Sequence, residues 1–167
     1  MSKVNFAFWA AIWAGTLGGA VMFGTRLLMK HIMRLDLKMD MMGVWGSMLH
    51  LHGMIGHVVG LLIHLAGSAA IGLIYAWAFA ALLGTANNLW LWGLLGGLIH
   101  WVLAGLFFAV LPALHPEIPE RRPNPGAFIK NFGAPDGLGF LIGHLVYGVA
   151  VAILYAYFTG GGTAAAF

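Results

Sequence analysis

The sequence predicts an all-α integral membrane protein. Four transmembrane helices form two tandem hairpins as a parallel repeat, with a pseudo-two-fold axis along the membrane normal. Three observations predict this. Only 13 of 167 residues are Asp, Glu, Lys or Arg, or 8%, where a soluble domain carries about 25%. Those charges avoid three long runs, residues 4–25, 41–116 and 137–167. The second and fourth apolar segments also repeat each other at an offset of 80 residues. A hydrophobic content of 61% and a mean hydropathy of +0.90 agree. Together they exclude a soluble globular domain and a disordered chain, and the absence of Cys excludes a disulfide scaffold.

A spanning helix needs about 20 apolar residues at 1.5 Å rise each. The run of 76 residues from 41 to 116 therefore holds two spans, and the other two runs hold one each. The runs are apolar on every side, unlike the alternating strands of a barrel, so helices are expected. The whole chain reads as one four-helix domain with spans at about 5–30, 54–83, 89–111 and 137–158. The first apolar stretch is too long for a secretory signal core and reads as a retained span. Gly84-Thr85-Ala86-Asn87-Asn88 punctuates the second and third spans as a short turn. Loops at about 31–53 and 112–136 make the other connections. The second of these starts at Pro112 and is dense in proline, which argues against helix there.

Lys and Arg fix the expected orientation. Lys3 is alone on the side of the termini. Arg26, Lys30, Arg34 and Lys38 flank the first long loop, and Arg121, Arg122 and Lys130 lie in the other. The positive-inside rule places both long loops in the cytoplasm and both termini outside. A bacterial or archaeal plasma membrane is the expected location. The basic pI reflects this rule and gives no reason to expect nucleic acid as a partner. Trp9, Trp13, Trp90, Trp92, Tyr155 and Tyr157 fall near the outer ends, as an interfacial aromatic belt does.

The repeat aligns His64-Leu65 with His144-Leu145 and Tyr75-Ala76 with Tyr155-Ala156. Ser68, Gly72 and Ala76 fall on Gly148, Ala152 and Ala156, each set a stripe of small residues one helical turn apart. Gly15 with Gly19 and Gly93 with Gly97 supply matching small pairs in the first and third spans. Such stripes allow the close backbone approach that drives helix association in lipid. The two stripes either face each other across the pseudo-axis or face their hairpin partners or another subunit.

Certain motifs resemble a known family. They are Lys38-Met39-Asp40-Met41, Gly46-Ser47-Met48, His64 with Ile74-Tyr75-Ala76, Gly143-His144-Leu145-Val146-Tyr147-Gly148, and Leu154-Tyr155-Ala156. Over residues 15–158 the chain resembles the YagU-like family of small four-helix prokaryotic inner-membrane proteins, whose domain is one of unknown function. The resemblance implies the four-helix fold and two recurring histidine positions. The Pro- and Arg-rich loop is longer than the family pattern.

Ionisable residues inside spans are functional candidates, and here they are histidines. His64, His144 and His100 lie within spans, with His57 one face-repeat before His64 and with Tyr75 and Tyr155 above. Paired imidazoles can ligate heme b, bind copper or zinc, hydrogen-bond a quinone or relay protons. They can also simply bond a neighbouring helix carbonyl or Tyr. A second cluster runs from Met29, His31 and Met33 through Met39, Met41 and Met42 to Met48, His50, His52, Met54 and His57. Thioether and imidazole together suit copper, with His50, His52, Met54 and His57 as the expected ligands. Asp36 and Asp40 are expected to pair locally with Arg34 and Lys38. No nucleophile–base pair, phosphate loop or HExxH is visible, so hydrolytic chemistry has no support.

The resulting expectation is a non-catalytic small subunit, or an assembly or stabilising partner, of a larger membrane complex such as a respiratory or metal-dependent oxidase. Its partners are then the bilayer and other membrane subunits or further copies of itself. The alternatives are an electron carrier using His64 and His144 and a small transporter or channel.

Overall fold

The computed structural model describes residues 4–83 and 88–160. Lys3 and residues 84–87 of the expected turn lie outside them. Helix α1 spans Phe8–Leu27 and runs on through a π turn, Leu28–Ile32. A short helix α2 follows at Met41–Ser47. Helix α3 covers Gly53–Ala78 and continues as a π turn, Phe79–Leu83. Helix α4 is Leu89–Leu114 and α5 is Ala134–Phe158, with a 3-10 turn at Ala127–Phe132 between them. Four of these stretches, α1 and α3 with their π turns, α4 and α5, are long and apolar enough to cross a membrane. The protein is thus a multi-pass, all-helical membrane bundle among its described residues.

Two elements depart from expectation. Residue 112 does not end α4; Pro112 sits in its last turn, where the proline removes a single ladder bond. The helix stops at His115 instead, whose backbone is extended. Pro116 causes this, because a residue before proline is driven out of the helical region. Helix α2 was not expected at all. Asp40 caps it, its Oδ1 accepting from Gly43 N–H at 3.0 Å, and its charged neighbours are His57 and Arg122 rather than the expected Arg34 and Lys38. Asp36 does pair locally, with Lys38 at 3.2 Å.

Small residues decide the packing. A Cβ on Gly15 would collide with Ser68 O and sit 2.9 Å from Gly72 Cα; one on Gly72 would lie 2.5 Å from Ala11 O. In the other hairpin a Cβ on Gly97 would meet His144 O at 2.6 Å, and one on Gly148 would meet Gly97 N at 2.8 Å. Each stripe therefore faces its own hairpin partner, α3 against α1 and α5 against α4. The two stripes do not face each other. The reason is geometric: each Gly pair on α1 or α4 has already brought the partner backbone into contact. Ala76, Ala152 and Ala156 join the buried core beside Ala11 and Ala14.

The four long helices form an open ring. Helix α1 packs on α3 and on α5, and α5 packs on α4, while α3 and α4 hardly touch. Tyr147 keeps α5 against α3, its hydroxyl donating to Ser68 O at 2.6 Å. At the end of the long loops, Asp136 is wholly buried in the first turn of α5, where the helix dipole favours an acid. Its carboxylate accepts from Arg26 of α1 at 3.0 Å and from the backbone N–H groups of Lys38 at 2.7 Å and Met39 at 3.2 Å. Arg26 also donates to Met39 O. One carboxylate thus ties α1, the first long loop and α5 together.

At the opposite end Tyr155 is fully buried. It accepts from Ala7 N–H at 2.9 Å and donates to Asn5 O at 2.7 Å. It is a clamp on the N-terminal segment, not a member of an aromatic belt. Trp9, Trp13, Trp92 and Tyr157 are exposed as a belt requires.

Candidate functional site

The gap between α3 and α4 is a cleft with two adjacent cavities. The one nearer the long loops has a volume of about 560 Å³ and the other about 340 Å³, with Ile71, His100 and Leu103 shared. Helix α2 closes the loop end. Gly46 and Gly60 let it approach α3 within backbone contact, and this brings Met41 and Trp45 into the cavity wall. Trp45 then stacks on Phe107 of α4, ring centroids 6.4 Å apart. The back wall is α5, through Phe140, His144 and Tyr147. The open flank lies where α3 and α4 fail to meet.

Three histidines from three helices line the larger cavity: His64 of α3, His100 of α4 and His144 of α5. His144 stacks edge to face between Phe140 at 4.4 Å and His100 at 4.7 Å. Tyr75 and Tyr147 surround His100, at 6.4 and 5.4 Å between ring centroids. Gly96 makes room for the Tyr75 ring.

The hydrogen bonds of these groups are unequal. His64 Nε2 faces Gly19 O at 3.1 Å and His144 Nδ1 faces Phe140 O at 2.7 Å. A carbonyl only accepts, so in each case the facing nitrogen carries the proton. The Tyr75 hydroxyl and His100 Nδ1 are buried and have no partner among the described residues. Unpaired buried polar atoms are costly, about 1–3 kcal/mol each, and here two of them border one apolar cleft.

Of the residues expected to hold a cofactor, the structure brings His64, His100 and His144 to the larger cavity, while Tyr75 lies beside His100 and lines the other. It separates two others. Tyr155 is spent on the N-terminal segment. His57 lies outside the cleft, bonded to Gly53 O at 2.7 Å and to Asp40 at 2.9 Å. Tyr147 was missed as a site residue, although it lies three positions after His144 on the same helical face. Trp45 and Met41 were missed because no sequence signal folds α2 back onto the bundle.

The expected copper set is not assembled. Met54 is 84% exposed, and Met29, Met39 and Met42 are buried as packing groups, the usual use of a flexible thioether. His50 and His52 turn instead toward Glu117, a carboxylate 1% exposed. His52 Nε2 lies 2.9 Å from Glu117 Oε1 and His50 Nδ1 lies 3.4 Å from it. The His52 hydrogen bond, with His50 and Arg121 adding, holds the Glu117 carboxyl below the usual carboxylate range. His115 supports the loop from beneath, accepting from Glu117 N–H at 3.1 Å and donating to Val44 O at 3.0 Å. Among the described residues no group of three His, Asp or Glu side chains is disposed to hold a metal ion. This cluster joins the α2–α3 turn to the loop after α4. Sequence reasoning did not pick out Glu117, because its partners lie over sixty residues away.

No protein-family model, no curated protein and no solved structure matches the chain. The family resemblance therefore rests on the quoted motifs alone.

Proposed function

We propose that this protein is a non-catalytic binding component of a larger membrane assembly, and that it holds a lipid-soluble, amphiphilic ligand in the cleft between α3 and α4. One observation carries the reading. A laterally open, apolar, aromatic-walled cavity is lined by Tyr75 and His100, whose hydroxyl and Nδ1 are buried and have no hydrogen-bond partner among the described residues. Ligand sites are mostly apolar with a few converging polar groups, and a flank open between helices admits a molecule arriving through the bilayer.

The same reading includes the membrane orientation with both long loops inside and both termini outside, from the 7 to 1 distribution of Lys and Arg. It also treats the hairpins as a duplicated unit. Matching small-residue contacts, Gly15 on Ser68 and Gly72 and Gly93 on Gly148 and Ala152, support that. Under a two-fold, the α1–α5 contact has an α4–α3 counterpart; the cleft stands where that counterpart is open.

A second reading is a heme electron carrier using His64 and His144. It is favoured by their backbone-anchored nitrogens, since a metal-ligating His commonly donates its other ring N–H to a carbonyl. Native mass spectrometry after extraction in the mildest workable detergent separates the readings. The proposal predicts a colourless chain that releases an organic, lipid-soluble molecule and co-purifies with other polypeptides. A heme mass with a Soret band that His144→Ala abolishes would transfer the assignment to the second reading. A solitary chain with an empty cleft would overturn both.

A further inference from the structure

The cleft also has a hydrogen-bond polarity. We infer that it selects a ligand bearing a ring hydroxyl, a phenol or hydroquinone head on an apolar tail, over the corresponding carbonyl or ether; this rests on the cleft being a ligand site. An uncharged imidazole has one donor and one acceptor nitrogen. At hydrocarbon depth the uncharged form is the economical one. His64 spends its donor, Nε2–H, on Gly19 O, so its Nδ1 is an acceptor. His144 spends its donor, Nδ1–H, on Phe140 O, so its Nε2 is an acceptor. Neither acceptor has a partner among the described side chains, and both residues line the same cavity. Two of the three histidines are thereby fixed as acceptors before any ligand arrives.

A carbonyl or ether oxygen brings no proton and leaves both acceptors empty. A hydroxyl can donate to one of them. The shape agrees with a flat head group. His100, His144, Phe140, Tyr75 and Tyr147 stand edge to face, with centroids 4.4 to 6.4 Å apart, and such rings admit another ring edge-on or offset. Sites built around hydrogen bonds reject analogues lacking the matching group far more strongly than apolar pockets reject a missing methylene.

The test uses three probes with one alkyl tail: a 4-alkylphenol, its methyl ether and the matching alkylquinone. Binding to the full chain in nanodiscs is followed by tryptophan fluorescence. The phenol is expected to bind at least about tenfold more tightly than the ether or the quinone, the size of one unsatisfied buried polar group. His144→Phe keeps a ring and removes one of the two acceptors, and should lower the ratio of phenol to ether affinity; an unchanged ratio counts against the assignment. His64→Phe is the second variant, should the first unfold. Equal binding of phenol and ether, or tighter binding of the quinone, overturns the hydroxyl assignment and leaves the cleft as a ligand site. A wild-type protein that binds none of the probes overturns the assignment and the ligand reading beneath it.

Discussion

Replacing Asp136 by alanine removes the carboxylate on which three donors converge. The Arg26 guanidinium loses its 3.0 Å partner, and the N–H groups of Lys38 and Met39 lose acceptors at 2.7 and 3.2 Å. The Asp136 side chain is wholly buried and Arg26 is 19% exposed, so water replaces little of what is lost. Removing one partner of a buried pair costs about 3–5 kcal/mol, mostly because the other charge is stranded. Hydrogen bonds to a charged acceptor are each worth about 1.5–3 kcal/mol, but they share the same carboxylate and do not simply add. Arg26 keeps its bond to Met39 O, which favours the lower end, about 3 kcal/mol. The assay is equilibrium unfolding of the bundle in mixed detergent and SDS micelles, followed by helical circular dichroism. Changing Arg26 to Met as well removes the stranded charge, so the double variant should be more stable than Asp136→Ala alone. A loss below about 0.5 kcal/mol, the range of an inconsequential surface change, or a double variant no better than the single one, would refute the reasoning.

Three further outcomes follow from the packing and the loop. Gly148→Ala drives a methyl into the Gly93 and Gly97 backbone and should cost about 1–3 kcal/mol in the same assay. Gly24→Ala meets nothing within 4 Å and should be neutral or gain up to about 1 kcal/mol from helix propensity. Glu117→Gln removes the carboxylate that His52 and His50 address. The folded carboxyl value is lowered from 4.5, so its contribution is complete above about pH 4.5 and is lost as pH falls through the folded value. Thermal unfolding of wild type and Glu117→Gln at a series of pH values should therefore differ at pH 7 and converge in acid; curves that stay parallel to low pH contradict the linkage.

The span count was legible because charge exclusion is a property of composition along the chain, and lipid leaves the backbone no alternative to helix. The small-residue stripes were legible too, as faces. Which faces meet was not, because Gly72 and Gly148 present the same pattern to any close neighbour. His64, His100 and His144 stood out as polar groups in apolar runs. Their convergence depends on α3 and α4 standing apart, a tertiary fact that no local pattern encodes. Asp40 carried a readable signal, an acid directly before the apolar run Met41–Ser47, where N-caps occur. It was absorbed by the nearby Lys38 and Arg34. The Met-rich stretch misled in the opposite direction, since thioethers suited to copper are equally suited to filling a core. Glu117 and Asp136 are long-range hubs, and their partners lie 65 and 110 positions away.

Occupancy of the α3–α4 cleft is the most direct test of a ligand site. Gly67 lines the larger cavity, and a Cβ there meets nothing within 4 Å. Gly67→Leu therefore places an apolar side chain at the cleft wall from a Cβ that meets no neighbouring helix. Wild type and Gly67→Leu, extracted identically from the same membranes, can be compared by native mass spectrometry for the mass of any bound small molecule. The account predicts a lipid-soluble ligand on the wild-type chain that is lost from the variant while the bundle stays folded. A ligand retained equally by both, or absent from both, would contradict it.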